Sequence, residues 1–182
     1  MTLGEGKRKT LMLLDEYSLD GTLVVDTDVN ARMNDFFDMA QRDVSAWQPI
    51  VRRASVTLDG TGAMALPPDV QRVVRIRRNG KNAPDCEVVD GKLLFRRGDT
   101  STVTLDYIAA ARPITPETPD DYVFEVSPDA ANCLPYFVAA QQLIADLVVD
   151  YGAFYNMYLQ MRAVLPRSAL PGGAMRQALY GG

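Results

Sequence analysis

Apolar residues recur along this chain with two different periods, and the change of period divides it. Val29, Met33, Phe36, Phe37, Ala40, Val44 and Trp47 fall at i, i+4, i+7, i+8, i+11, i+15 and i+18. That spacing keeps one helical face apolar. Asp35, Asp38, Arg42 and Asp43 cover the other faces, Asp26 or Asp28 supplies the N-terminal cap, and Pro49 stops the helix. Ahead of it, Lys7 to Tyr17 reads as a short helix with Leu11, Leu14 and neighbouring Met12 on its apolar side and Lys7, Arg8, Asp15 and Glu16 in solvent.

From Ile50 to Ala109 the period becomes two. Ser55 to Leu58, Val73 to Arg77, Glu87 to Val89, Lys92 to Arg96 and Thr102 to Ile108 are short runs rich in Val, Ile, Thr and Leu. Asp59-Gly60, Asn79-Gly80 and Asp90-Gly91 separate them, and these pairs tolerate positive φ, so each predicts a tight antiparallel connection. In the last run Val103, Leu105 and Tyr107 alternate with Thr104 and Asp106, giving a packed face and a wet face.

Ala111 to Ser127 carries three prolines and four acids and reads as an extended surface linker. Ser127 or Asn132 then caps a helix starting near Pro135, where the missing N–H costs little. Tyr136 to Tyr151 is apolar almost all round, apart from a stripe of Gln142, Asp146 and Asp150, which marks the buried centre of a bundle. Gly152 breaks or kinks this helix, and Phe154, Met157, Tyr158, Met161 and Leu165 carry helical spacing on to Pro166. The expected architecture is α+β: a bundle of about four helices from 1–48 and 128–165, an inserted antiparallel β-domain over 49–112, a linker over 113–127 and an extended C-terminal arm over 166–182. The stretch from Leu165 to Gly182 has no apolar periodicity and too little bulk to bury itself, so order there requires a holder, in the first instance another chain, in the second its own domain.

Composition narrows the chemistry. A chain of 182 residues, 47% hydrophobic and 23% charged, can bury a real core. Its two cysteines, Cys86 and Cys133, have no metal or redox spacing, and the N-terminus lacks the apolar core of a secretory leader, so cytosolic free thiols are expected. No stretch approaches the ~20 apolar residues of a membrane span. Histidine is absent, which removes the commonest general base and metal ligand.

Charge falls in three blocks. Residues 1–48 carry five basic against nine acidic side chains, 49–112 eleven against seven, and 113–182 three against seven, so a +4 middle lies between two −4 flanks. Arg72, Arg75, Arg77, Arg78 and Lys81 crowd one strand and its turn, and Arg96 and Arg97 cap another. Strand alternation puts Val73, Arg75 and Arg77 on one face and Val74, Ile76 and Arg78 on the other. Such a basic face fits docking on an acidic flank of a neighbouring copy, with Asp120 and Asp121 as acidic candidates, or contact with a polyanion. A nucleic-acid reader interleaves aromatics with its arginines, and Phe95 stands alone here.

In order, the segments FFDMAQRDV, ALPPDVQRVVRI, GKLLF and VTLDYIAAARPITPETPDD, followed by a helix opening Pro-Tyr-Phe-Val-Ala-Ala, resemble the head-to-tail connector (adaptor) proteins of tailed bacteriophages. The resemblance runs from Lys7 to Leu165, strongest at Leu66-Pro67-Pro68-Asp69, Asp106-Tyr107-Ile108, Arg112-Pro113-Ile114-Thr115 and Leu134 to Ala140. It implies a virion protein, in the host cytoplasm during assembly, that forms a dodecameric ring on the portal, extends the DNA channel and presents a surface to the next neck or tail protein. It also implies a C-terminal arm reaching into the portal, with Pro166, Arg167, Leu170, Met175, Arg176, Leu179 and Tyr180 as anchors, and neck docking as a further use of the basic strand. DNA would then be passing cargo, touched through its backbone. The alternative is a non-enzymatic oligomeric interaction module or a weak, sequence-independent nucleic-acid-binding module.

Rival chemistry is thin. Asp26 with Asp28, or Asp120 with Asp121, could pair on Mg²⁺ for phosphoryl chemistry, but a helix cap and a solvated loop account for them. Asp146 and Asp150 read as a helix's wet edge or a subunit contact, and Gly172-Gly173 lacks the Lys-Ser/Thr and strand of a phosphate loop. No cofactor, metal or catalytic residue is therefore expected. Assays with Mg²⁺, Mn²⁺ or Zn²⁺ should detect no nuclease, ATPase or hydrolase activity, and cleavage abolished by Asp26→Ala or Asp146→Ala in a folded chain would contradict this.

Overall fold

The computed structural model describes residues 1–14, 27–83, 86–96, 98–146 and 151–166, with Thr27 and Asp28 described in backbone only. The fold is α+β, and the chain forms two compact units. Among the described residues one contains Met1–Gln48 and 111–166, and the other is built on Pro49–Ala110.

The helical unit holds α1 (Leu3–Leu13), α2 (Thr27–Trp47), the single turn α3 (Pro128–Ala131), α4 (Leu134–Ala145) and α5 (Gly152–Ala163). α4 packs against α1, α2 and α5, as its nearly all-round apolar sequence requires. Met33, Phe37, Ala40 and Val44 of α2 meet Leu134, Phe137 and Val138 of α4 in one core with Leu3, Leu11 and Tyr158. Leu165 also belongs to this core.

α1 begins four residues earlier than its apolar pattern indicates. Thr2 caps it through a capping box, accepting from the Glu5 N–H (3.2 Å) while Glu5 accepts from the Thr2 N–H (2.9 Å). Gly4 and Gly6 hide the helix from a propensity reading. They are there because a Cβ at Gly6 would lie 3.0 Å from Phe37 and 3.2 Å from Phe124, and one at Gly4 3.0 Å from Asp120. Lys7, expected in solvent, is buried and donates to Asp120 Oδ1 at 2.7 Å. Met12, expected on the apolar side, is exposed.

Residues 111–127 do not run as a free surface linker. They form a strap with little regular structure, bound into the helical unit, with Ala111, Ile114 and Phe124 buried. A row of polar residues along α2 holds it. Asn34 Nδ2 donates to the Thr115 and Pro116 carbonyls (2.8 and 3.2 Å), and Asp38 accepts from the Ile114 N–H at 2.9 Å. Gln41, fully buried, donates to the Arg112 carbonyl (3.3 Å) and Tyr122 Oη (3.1 Å) and accepts from the Glu125 N–H (2.9 Å). On its other side the strap meets the start of α1: the Leu3 and Gly4 N–H groups donate to the Tyr122 and Asp120 carbonyls, and the Phe124 N–H to Met1.

Ser127 caps α3, and α4 follows with Pro135 in its first turn. α4 ends at Ala145, not at Tyr151, and Gly152 opens α5. The expected wet stripe is contradicted at Gln142. Gln142 is buried and Asp146 is the exposed C-cap, paired with Arg32 at 3.2 Å, while Asp150 lies outside the described residues, as do Asp15, Glu16 and Asp26.

The β-unit carries two antiparallel sheets. β1 (Ile50–Thr57), β7 (Thr102–Ala109), β3 (Val70–Arg78) and β4 (Lys81–Asn82) form a sheet of order β1-β7-β3-β4. β2 (Ala63–Ala65), β6 (Lys92–Leu94) and β5 (Glu87–Val89) form the second, of order β2-β6-β5. Asn79-Gly80 and Asp90-Gly91 make tight hairpins, with φ of 48° and 80° and of 47° and 70°. Asp59-Gly60 does not: it carries the chain from β1 to the other sheet, with Asp59 Oδ1 accepting from the Thr61 N–H. Leu58, Met64, Val73, Ile76, Leu93, Phe95, Val103, Leu105 and Tyr107 form the core of this unit.

Replacing Gln41 by Leu keeps the volume but strips partners from the Glu125 N–H and the Arg112 carbonyl, so unfolding free energy should fall by about 2 to 4 kcal/mol in denaturant titrations. Arg112→Ala, which removes the ion pair to Glu125 and the guanidinium's stacking on the Tyr122 ring (5.4 Å) but leaves the polar row of α2 in place, should cost about 1 kcal/mol. Equal effects of the two changes would show that the polar row does not hold the strap.

Candidate interaction surfaces

The basic strand β3 is not a simple alternating strand. Its pairing with β7 runs Val70↔Ala109, Arg72↔Ile108, Val73↔Tyr107, Arg75↔Asp106, Ile76↔Leu105 and Arg77↔Thr104, with irregularities between Val70 and Arg72 and between Val73 and Arg75. Each irregularity inserts one residue, Gln71 and Val74, and each resets which face follows. Val73 therefore joins Ile76 on the core side instead of sharing a face with Arg75 and Arg77. The polar side carries Arg72, Arg75 and Arg77 on β3, Thr104 and Asp106 on β7, and Arg53, Ser55 and Thr57 on β1.

Asp106 anchors this face. It is buried, yet accepts from Arg53 Nε at 2.6 Å and lies 3.3 Å from Arg77 Nη2. The Asp106 hydrogen bond and charge hold the Arg53 guanidinium above its ordinary pKa. Four arginines, Arg53, Arg72, Arg75 and Arg77, share this side with one carboxylate, so the face keeps a net positive charge. At the strand end, Arg78 pairs with Asp99 at 3.1 Å, and Asp99, accepting chiefly from Ser101, is held below the usual carboxylate range. Arg78, Asn79, Arg96, Gly98, Asp99 and Ser101 line a polar cleft of about 450 Å³. Lys81 and Arg96 are exposed, and Arg97 lies outside the described residues. A second carboxylate, Asp69, binds Arg52 and accepts from Tyr107 Oη (3.2 Å), whose phenol is pushed up by burial and then by that negative charge.

The acidic candidates lie on the strap. Glu117, Asp120 and Asp121 are exposed, but Asp120 is already engaged by Lys7. Turns fix their backbone, with Thr118 N–H donating to the Thr115 carbonyl (2.9 Å) and Tyr122 N–H to Pro119 (3.1 Å).

The last helix among the described residues, α5, is the third surface. Of the twelve residues of α5 only Tyr158 is buried. Its hydroxyl donates to Asp43, which also binds Arg162, and the Arg162 guanidinium stacks 5.6 Å from the Trp47 ring. Burial, then the Asp43 contact, pushes the Tyr158 phenol far above its ordinary value. Tyr151, Tyr155 and Met157 face solvent, with Val164 just beyond at 82% exposure. A cleft of about 360 Å³ lies between α1, α4 and α5, lined by Lys9, Met12, Leu13, Asn132, Pro135, Tyr136 and Met161. Pro166 is exposed, and its carbonyl accepts from Gln48 Nε2 at 3.1 Å. The other arm anchors, Arg167, Leu170, Met175, Arg176, Leu179 and Tyr180, lie outside the described residues.

Cys133 is buried, its thiol pushed up by burial, and Cys86 is half-buried. Among the described residues no three Cys, Asp or Glu side chains cluster as metal ligands, and no helix is long and apolar enough to cross a membrane. Compared with known proteins, the chain matches no family model and no curated sequence.

Sequence alternation could not reveal the Asp106 clamp, because it depends on the two extra residues in β3. The signal available was Val73-Val74, two consecutive β-branched residues that cannot both be inward in a regular strand. Asp106→Ala should lower stability by about 1 to 3 kcal/mol by leaving Arg77 without its buried partner, while Asp106→Asn, which keeps the shape, should lose less. Thermal melts of the two variants check the order, and no loss in either would remove the clamp as a structural element.

Proposed function

We propose that this chain is a non-enzymatic virion assembly protein, a head-to-tail adaptor that forms a ring beneath a portal, extends its DNA channel and joins it to neck or tail proteins. The observation that carries the reading is α5, a largely apolar helix that buries only Tyr158 and leaves Tyr155 and Met157 exposed, as is Tyr151 just ahead of it. A helix with that composition is completed by another protein surface. The order of segments that resembles tailed-phage connectors supports the choice of adaptor among assembly proteins. So does the fold, in which a helical bundle is interrupted by an antiparallel β-unit. DNA in such a channel meets backbone-directed charge without base readout.

Pro166 marks where the proposed portal-binding arm leaves the helical core, since Leu165 is buried and the Pro166 carbonyl is held by Gln48. Mass measurement of the purified chain, alone and with a portal ring, should give a ring in at least one condition. Truncation after Pro166 should leave the circular dichroism and melting temperature of the body unchanged and abolish portal binding. Monomers in both conditions would refute the adaptor reading, and undiminished binding by the truncated chain would refute the role of the arm.

A further inference from the structure

We infer that the cationic face of the four-stranded sheet seats the acidic strap turn, Glu117 to Asp121, of a second copy of this chain. The inference rests on the assembly reading above and names one of its contacts.

Two surfaces on the chain are complementary in charge. On the sheet, Arg53, Arg72, Arg75 and Arg77 share one side with a single acid, Asp106. On the strap, Glu117, Asp120 and Asp121 are exposed, and Lys7 neutralises only one of them. Both surfaces are also fixed before they meet. Asp106 anchors Arg53 and Arg77, and the central strand of the sheet sets their spacing. The strap turn is stiffened by Pro116 and Pro119, by Thr115 N–H donating to Thr118 Oγ1 at 2.8 Å, and by Asn34 on the carbonyls of Thr115 and Pro116. Preformed partners lose little conformational entropy on docking, so charge pairing is not cancelled by ordering costs.

Nucleic acid is the weaker occupant of the same face. The described side chains on that face are Arg, Asp, Asn, Ser and Thr with the aliphatic Val51 and Ile108 beside Arg72, and no aromatic ring is among them for a base to stack on. A carboxylate-bearing turn needs only the guanidinium forks. Because the two surfaces are different patches of one chain, the contact is heterologous and repeats from copy to copy, which generates a ring when the rotation closes.

The test uses the full-length chain and two charge-reversed variants, Arg72→Glu with Arg75→Glu, and Glu117→Lys with Asp121→Lys. Circular dichroism checks that each is folded, and sedimentation velocity reads assembly under the condition, alone or with portal, in which the wild type assembles. Each variant alone should fail to assemble, with association weakened by about tenfold or more. Their equimolar mixture should assemble again, because a lysine-bearing turn then meets a glutamate-bearing sheet and the native turn meets the native sheet. Should the sheet variant not fold, the strap variant alone decides, since its positions are exposed and outside both cores. Normal assembly of either folded variant would overturn this contact and leave the ring reading standing, even if duplex binding were lost on the arginine changes. Failure of the mixture of two folded variants to assemble would also overturn it. A wild-type chain that stays monomeric with and without portal would overturn both.

Discussion

The helical unit depends on one row of polar side chains along α2, two of them buried and Asp38 half-buried. Asn34, Asp38 and Gln41 lie on a helix whose other face is the main apolar core, and they use their amide and carboxylate groups on the backbone of residues 112–125. Without them that stretch would bring unpaired carbonyls and N–H groups against the core, each costing about 1 to 3 kcal/mol. With them the strap becomes a structural element without being a helix or a strand. It then positions Phe124 against Phe37, with ring centroids 5.3 Å apart, and the start of α1 closes over it. Gly4 and Gly6 are the steric counterpart of the same device, because only a missing Cβ lets α1 approach Asp120, Phe37 and Phe124 so closely.

The β-unit has a different constraint at its centre. β7 is paired on both edges, so any residue on its polar side is flanked by two strands. An acid in that position is tolerable only if its neighbours supply charge and hydrogen bonds. Arg53 and Arg77 do so for Asp106, and the Val73 to Arg75 irregularity brings Arg75 opposite it in register. The result is a rigid positively charged face whose residues serve first to keep a buried carboxylate. Asp69, with Arg52 and Tyr107, repeats the theme at the start of β3. Charge in this unit is thus arranged around carboxylates and only its surplus is available to a partner.

Each surface described here is a different answer to the question of what the chain leaves unfinished. α5 leaves apolar area, the sheet leaves positive charge, and the strap leaves negative charge. The opposite charges of the sheet and the strap within one chain are what the proposed contact between copies uses.

Periodicity alone determined the α+β class, the inward face of α2, the central place of α4 and the hairpins at Asn79-Gly80 and Asp90-Gly91, because apolar spacing and positive-φ residues act over a few neighbouring positions. Tertiary structure decided the rest. The strap looked like a linker because its partners lie on a helix some eighty positions away in the chain. α1 was shifted because Gly4 and Gly6, poor in helix propensity, are selected by what packs against them. Lys7 and Gln142 were assigned to solvent because helical spacing counts polarity, whereas inside the fold the Asp120 carboxylate satisfies Lys7 and packing holds Gln142 with its Nε2 donating to the Val29 carbonyl at 3.5 Å. The face of each arginine on β3 was set by two inserted residues, and a shift of one position in a strand exchanges its sides. Local sequence fixes which residues prefer to be inward; long-range hydrogen bonds and register decide which of them are.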